Sequence, residues 1–267
     1  MAKFGPSGND DIFIQQNKER TEAPQFLSGL GLTAFEISFG RGINIKEETA
    51  KLMAENAKKL GIEISVHAPY YINLANNDLF DSNLMHIKES IKAVKMLGGN
   101  RVVVHCGSQG TLTRETAIEL TKQNLLKVLK KINLEKEGIY LCLETMGRYK
   151  SIGNLEEINQ LVSLNDRLIP CLDIGHLNCL AQGQIDYGYI FKNALKLEYA
   201  HMHFSKIRFN AKGEMNHLTF ESTEFGPEPE EFIKALKQTN FKGTIICESK
   251  GTQARDAVIL KKLYEYK

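Results

Sequence analysis

Two rhythms of apolar positions alternate along the chain. Short apolar runs, several rich in Val and Ile, fall at 32–39, 62–68, 101–105, 139–144, 168–173, 197–203 and 243–248, and they predict parallel strands covered on both faces. A first strand is predicted at 2–6. Between these runs the spacing becomes helical. Ala50, Met53, Ala54 and Ala57 recur at i, i+3, i+4 and i+7 and stop at Gly61, while Leu84, Ile87, Ile91 and Val94 form a stripe ended by Gly98 and Gly99. Leu125, Val128, Leu129 and Ile132 make a third stripe. Further helices are predicted at 17–30, 154–164, 186–196, 228–239 and 252–266, the fourth announced by Pro227 and an acidic first turn.

Eight strand–helix pairs with no linker between them predict an α/β fold, one (β/α)8 TIM barrel spanning 1–267 as a single domain. A doubly wound open sheet is the alternative, and it ranks second because eight repeats fill a barrel without remainder. One connection stands out. The segment 207–226 runs about 20 residues without a convincing element, and loops of that length in a compact domain are functional or disordered.

Composition narrows the class. At 267 residues and 42% hydrophobic the chain has enough apolar content for a sizeable core, which excludes disorder. Lys and Arg total 34 against 32 Asp and Glu, so bulk charge makes no case for nucleic acid and leaves only a local basic strip open. No apolar run approaches the roughly 18 residues of a membrane span, and Met1 to Pro6 offer no secretion signal, so no membrane partner and a cytoplasmic location are expected. The five cysteines, Cys106, Cys142, Cys171, Cys179 and Cys247, are odd in number and scattered, which reads as buried free thiols.

The polar residues at the strand ends carry the chemistry. His67 closes Ile64-Ser65-Val66, His105 closes Val102-Val103-Val104, and His201 and His203 follow Leu197 to Ala200. Glu144, Asp173 and Glu248 close their own apolar runs, and His176 stands three residues after Asp173. In a parallel barrel every strand points its C-terminal end at one mouth, where barrel active sites are built. Imidazoles and carboxylates gathered there are the ligands of zinc, manganese or iron, and carboxylates facing one another call for cations. No P-loop, G-x-G-x-x-G or G-x-S-x-G occurs, so a nucleotide cofactor and serine esterase chemistry find no support.

With these residues in hand, the sequence resembles endonuclease IV, the metal-dependent apurinic/apyrimidinic endonuclease family (AP endonuclease family 2) of the xylose-isomerase-like TIM barrels. The motifs run in order from 67 to 248. His67-Ala68-Pro69-Tyr70-Tyr71-Ile72-Asn73-Leu74 is similar to the family's H-x-x-Y-x-I-N-L, Val104-His105-Cys106-Gly107-Ser108 to V-H-x-G-S, and Leu143-Glu144-Thr145-Met146 to L-E-T-M. Cys171-Leu172-Asp173-Ile174-Gly175-His176 matches C-x-D-x-x-H, His201 with Ser205-Lys206 matches H-x-x-x-S-K, His217 matches the histidine of D-R-H, and Glu248 matches the last-strand glutamate.

The resemblance implies hydrolysis of the phosphodiester 5′ to abasic sites in double-stranded DNA, by a monomer holding two or three zinc ions, with manganese or iron as alternatives. It implies that His67 and His105 hold one metal and share Glu144 with a second, which Asp173, His201 and Glu248 complete, with Glu144 and Glu248 the catalytic carboxylates. His176 and His217 would hold the third. Tyr70 takes the place of a residue that contacts DNA at the lesion, and Arg41 that of an inserted arginine. The chain departs from the family at Met215-Asn216-His217, where D-R-H loses its carboxylate, and at His203. His203 or Glu214 is expected to complete the third site. Two other readings stand beside this one: a single-metal sugar isomerase or epimerase of the same superfamily using Glu144, Asp173, His201 and Glu248, and a non-catalytic DNA-damage binder.

Overall fold

The computed structural model describes residues 2–16 and 18–266. Its strands are β1 (Lys3–Pro6), β2 (Ala34–Ser38), β3 (Glu63–His67), β4 (Arg101–Val104), β5 (Tyr140–Glu144), β6 (Leu168–Asp173), β7 (His201–Phe204), β8 (Lys206–Asn210), β9 (Gly213–Leu218) and β10 (Thr244–Cys247). The helices are α1 (Asp11–Gln15), α2 (Ala23–Gly29), α3 (Glu47–Leu60), α4 (Phe80–Met96), α5 (Arg114–Lys131), α6 (Leu134–Glu137), α7 (Leu155–Val162), α8 (Ile174–Leu180), α9 (Tyr187–Asn193), α10 (Pro229–Leu236) and α11 (Gln253–Glu265).

Eight parallel strands pair in the order β1-β10-β7-β6-β5-β4-β3-β2. The two ends of that order then meet. Thr33 N donates to Phe4 O at 3.0 Å, Gly8 N to Glu36 O at 2.8 Å, and Ser7 bridges Glu36 in parallel, so the sheet curls into a nearly closed barrel rather than an open doubly wound sheet. Gly5 permits this closure, because a Cβ there would stand 1.8 Å from Ala34 O.

The helices follow the predicted stripes. Ala50, Met53 and Ala57 face the core from α3, which ends at Gly61 with φ 68°, the left-handed turn that glycine adopts without cost. Asn154 and Glu157 form a reciprocal cap at the start of α7, and Pro229 opens α10. Among the described residues no helix is long and apolar enough to cross a membrane.

Three expectations are corrected. The predicted strand at 197–203 contributes only His201 onward, since Lys196 takes φ 55° and Leu197–Tyr199 wind into a 3-10 turn. The helix expected at 17–30 resolves into a 3-10 turn at Arg20–Glu22 and α2, whose start Pro24 fixes, and position 17 lies outside the described residues. The segment 207–226 is no structureless loop. Most of its first half is the antiparallel hairpin β8–β9, pinned by Ile207 N to Gly226 O at 3.0 Å and by Lys206 Nζ to Ser222 O at 2.7 Å.

Candidate metal centre

Strand register decides which side chains share a level at the barrel mouth. Asp173 is the pairing partner of His203, whereas His201 pairs with Cys171, one layer deeper. Inward-facing residues two apart on a strand lie about 7 Å apart along it, so His203 shares its level with Asp173, and its Nδ1 comes within 3.1 Å of Glu144 Oε1 and 3.5 Å of Glu248 Oε2. His201 therefore does not join Glu144, Asp173 and Glu248 as expected, and His203 takes its place. His201 instead bonds Glu36 Oε2 through Nε2 at 2.9 Å.

Glu144, at the end of β5, is the hub. Its Oε2 lies 3.1 Å from His67 Nε2 and 2.8 Å from His105 Nε2, and its Oε1 lies 3.1 Å from His203 Nδ1. Glu248 Oε2 and Asp173 Oδ2 approach the same His203 nitrogen at 3.5 and 3.9 Å. Burial alone would favour the neutral Glu144 acid, but the charges of His105 and His203 hold its carboxyl well below the usual range. Burial and the nearby charges of Glu248 and Glu144 push Asp173 up against the pull of His176.

A third group sits beside this pair. His176 follows Asp173 at the start of α8, where Asp173 Oδ1 caps the helix by accepting from His176 N at 2.7 Å. His176 Nδ1 donates to Thr145 O at 2.8 Å, leaving Nε2 to face Glu214 Oε2 at 3.4 Å, and the His217 ring stands 5.9 Å from the His176 ring. Burial opposes the charged form of His176, yet Asp173, Glu144 and Glu214 raise its pKa to about 9. Of the two side chains expected beside His176 and His217, Glu214 stands there, while His203 faces Glu144. The approach of Glu214 depends on Gly147 and Gly213. A Cβ on Gly147 would stand 2.8 Å from both Glu214 Cβ and His176 Cδ2, and Gly213, at φ 100°, packs where a Cβ would meet Gly147 O at 2.2 Å.

The donors fit divalent cations. Asp173 Oδ2 is buried with no hydrogen-bond partner among the described residues while it faces the cluster, a costly arrangement for an oxygen without a cation. The second ring nitrogens of three histidines are engaged elsewhere: His67 Nδ1 with Ala68 O at 2.8 Å, His176 with Thr145, and His217 Nδ1 with Ser205 Oγ at 2.7 Å. Such outer contacts fix the tautomer of metal-binding histidines. Four groups of donors lie close enough to hold ions: His67, His105 and Glu144; Glu144, Asp173, His203 and Glu248; His176, Glu214 and His217; and, deeper in the barrel, Cys171, His201 and His203.

A sequence profile described as a xylose isomerase-like TIM barrel matches residues 24–263. The chain belongs to this family. An uncharacterized protein of Methanocaldococcus jannaschii is 32% identical over 99% of this chain and 97% of its own length. A probable endonuclease 4 of Mycoplasma mobile is 31% identical over 64% of each chain, so the match covers less than two thirds of that relative. Among solved structures, a D-tagatose 3-epimerase-like protein superposes with a TM-score of 0.74 at 22% identity, covering 98% of this chain and 95% of its own.

In this xylose isomerase-like barrel the candidate ligands His67, His105, Glu144, His176, Glu214, His217 and Glu248 line a cavity of about 790 Å³, which Tyr70, Met146, Arg148, Met215 and Lys250 also line. Tyr70 stacks on His105 at 5.4 Å and bonds Ser38 through its hydroxyl at 2.8 Å. Arg41 is exposed and shares a side cleft with Tyr70. The residue that sequence reasoning missed is Glu36. It is fully buried in β2 and bonds Ser65 Oγ at 2.8 Å as well as His201, and despite burial the charge of His203 and the bond from His201 hold it well below the carboxylate range. A glutamate inside an apolar strand run was the available signal.

Proposed function

We propose that the protein is a metal-dependent phosphodiester hydrolase that incises double-stranded DNA 5′ to abasic sites. The observation that carries this reading is the continuity of the three donor groups at the barrel mouth: Glu144 joins the first two, and His176 Nδ1, 3.4 Å from Asp173 Oδ2, joins the third. The match to probable endonuclease 4 supports the same reading.

Divalent ions bound there supply positive charge that lowers the pKa of water and neutralises a phosphate and its leaving 3′-oxygen. Water oxygen bonds to phosphorus and loses a proton, the bond from phosphorus to the 3′-oxygen breaks, and that oxygen takes up a proton from solvent, so that a 3′-hydroxyl and a 5′-phosphate result. The residues of this chain orient that reaction. Glu248, in the cavity wall, accepts the proton released by the water, and Arg148 and Lys250 at the rim bind flanking phosphates. Tyr70 occupies the space beside His105, where a nucleotide lacking its base leaves room for an aromatic ring. The test is a nicking assay on a duplex with a single abasic site, paired with metal analysis of the protein.

A second reading has its own observation. Glu144, Asp173, His203 and Glu248 alone make a complete set of four donors for one ion, enough for a sugar epimerase in which carboxylates move the proton. It gives His67, His105, His176, Glu214 and His217 no role, and one metal per chain with turnover of a ketosugar would favour it.

A further inference from the structure

Beneath the metal centre, three buried side chains from opposite sides of the barrel meet on one carboxylate. Glu36 comes from β2, and its two histidine partners come from β7, which is not its neighbour in the sheet. Glu36 Oε2 accepts from Ser65 Oγ at 2.8 Å and from His201 Nε2 at 2.9 Å, while Oε1 stands 3.0 Å from His203 Nε2 in a bent approach. Among the described residues neither Glu36 Oε1 nor His203 Nε2 has a well-aligned hydrogen-bond partner, so each is the other's available counterpart, and Glu36, His201 and His203 are all fully buried.

The opposite nitrogen of His203 is the one that faces Glu144, Glu248 and Asp173. All three offer only acceptor oxygens once ionised. If the proton of a neutral His203 sat on Nδ1, Nε2 would turn a lone pair toward the Glu36 carboxylate. With the proton on Nε2, the ring donates toward Glu36 and turns its Nδ1 toward Glu144, Glu248 and Asp173, where either a second proton or a cation resolves the acceptor-against-acceptor contact, and a bound cation takes the place of that proton. Ser65 and His201 hold Oε2, which leaves Oε1 aimed at His203. His201 is then a support for Glu36 rather than a ligand, which accounts for two histidines on one strand face doing different work.

We infer that Glu36 is a positioning residue of the metal centre, setting the tautomer and ring orientation of His203 so that Nδ1 is presented to the ion shared with Glu144, Asp173 and Glu248. This rests on the metal-centre reading of the site, not on the choice of substrate. Outer carboxylates of this kind are worth roughly 10- to 100-fold in metal affinity.

The test measures metal binding without DNA. Metal-free wild type and Glu36→Gln are titrated with Co²⁺ and Zn²⁺ against a chromophoric chelator, and the cobalt-loaded proteins are compared by proton NMR for exchangeable, paramagnetically shifted imidazole N–H signals. Glutamine keeps the shape and removes the charge. The expected result is a loss of about 10- to 100-fold at the central ion, an altered or lost His203 N–H signal, and unchanged binding at His176, Glu214 and His217. A purely structural role would lower stability without this selectivity. Should Glu36→Gln fail to fold, Ser65→Ala removes only the hydroxyl that steadies Oε2, and a few-fold selective loss is expected. A folded variant with central affinity within about twofold of wild type and an unmoved N–H signal overturns the inference. Wild type that binds metal normally but leaves abasic DNA intact contradicts the hydrolase reading alone.

Discussion

His203 Nδ1 stands 3.1 Å from Glu144 Oε1, while His201, two residues earlier on the same strand, turns its Nε2 to Glu36 at 2.9 Å. Similar histidines so close in sequence thereby acquire different tasks. His203→Ala is expected to cost the central ion and, with it, hydrolysis by on the order of 100-fold or more, whereas His201→Gln should keep metal content and lose only a modest part of the activity. Metal analysis of the two purified variants checks this, and the reverse order would return His201 to the ligand set.

That distinction marks how far the sequence is legible. The strand ends, the barrel and the five candidate ligands His67, His105, Glu144, Asp173 and Glu248 can be read from apolar runs closed by His, Asp or Glu, because period and position alone bring those ends to one mouth, whereas His176 and His217 are assigned to a metal only by the family resemblance. Choosing between His201 and His203 needs the pairing of β7 with β6, and register is a long-range property that a single strand does not encode. Glu36 is hidden for a related reason: its partners are Ser65, His201 and His203, remote in sequence and joined only by closure of the barrel. The hairpin β8–β9 is missed because Lys206 to Leu218 lack a clean alternation, being held by edge contacts and by the Gly147–Gly213 approach instead.

Glu144→Gln should be the most damaging single change at the site. It removes the charge between His67 and His105 on one side and His203 on the other, with a loss of metal affinity on the order of 100-fold or more expected, beyond that of an outer residue. Circular dichroism should show the barrel intact, since side-chain volume is conserved. Wild-type metal content and turnover in the glutamine variant would rule out its bridging role.

Glu214→Gln should empty only the ion at His176 and His217. The remaining ions keep their donors, so metal content falls by about one per chain, the ordinary consequence of leaving two protein ligands where about three are usual. Equilibrium dialysis against zinc distinguishes this from a uniform loss at all sites.

Zinc should stabilise the protein more as pH rises. In the metal-free protein burial opposes the His176 cation, but Asp173, Glu144 and Glu214 raise its pKa from 6.5 to about 9. The folded state therefore binds this proton more tightly than the unfolded chain, and the stabilisation is full below 6.5 and lost as pH rises through about 9. Metal needs the deprotonated ring and competes with that proton. The rise in Tm on adding zinc should grow across this window, and a shift independent of pH would contradict proton competition at His176.

Tyr70→Ala should weaken discrimination for abasic over intact duplex more than it weakens binding overall. The ring stacks on His105 and is half exposed to the cavity, with its hydroxyl tied to Ser38. Competition binding with the two duplexes at fixed salt is the measurement, because phosphate contacts contribute equally to both. Equal losses on the two would make Tyr70 a packing residue.

The most direct measurement is incision of a duplex carrying one abasic site by the zinc-loaded protein, with the product ends identified. A cut 5′ to the lesion leaving a 3′-hydroxyl, abolished by a chelator and restored by added zinc, is the predicted result. An intact duplex in the presence of a fully metal-loaded protein, together with turnover of a ketosugar by the same preparation, would contradict it.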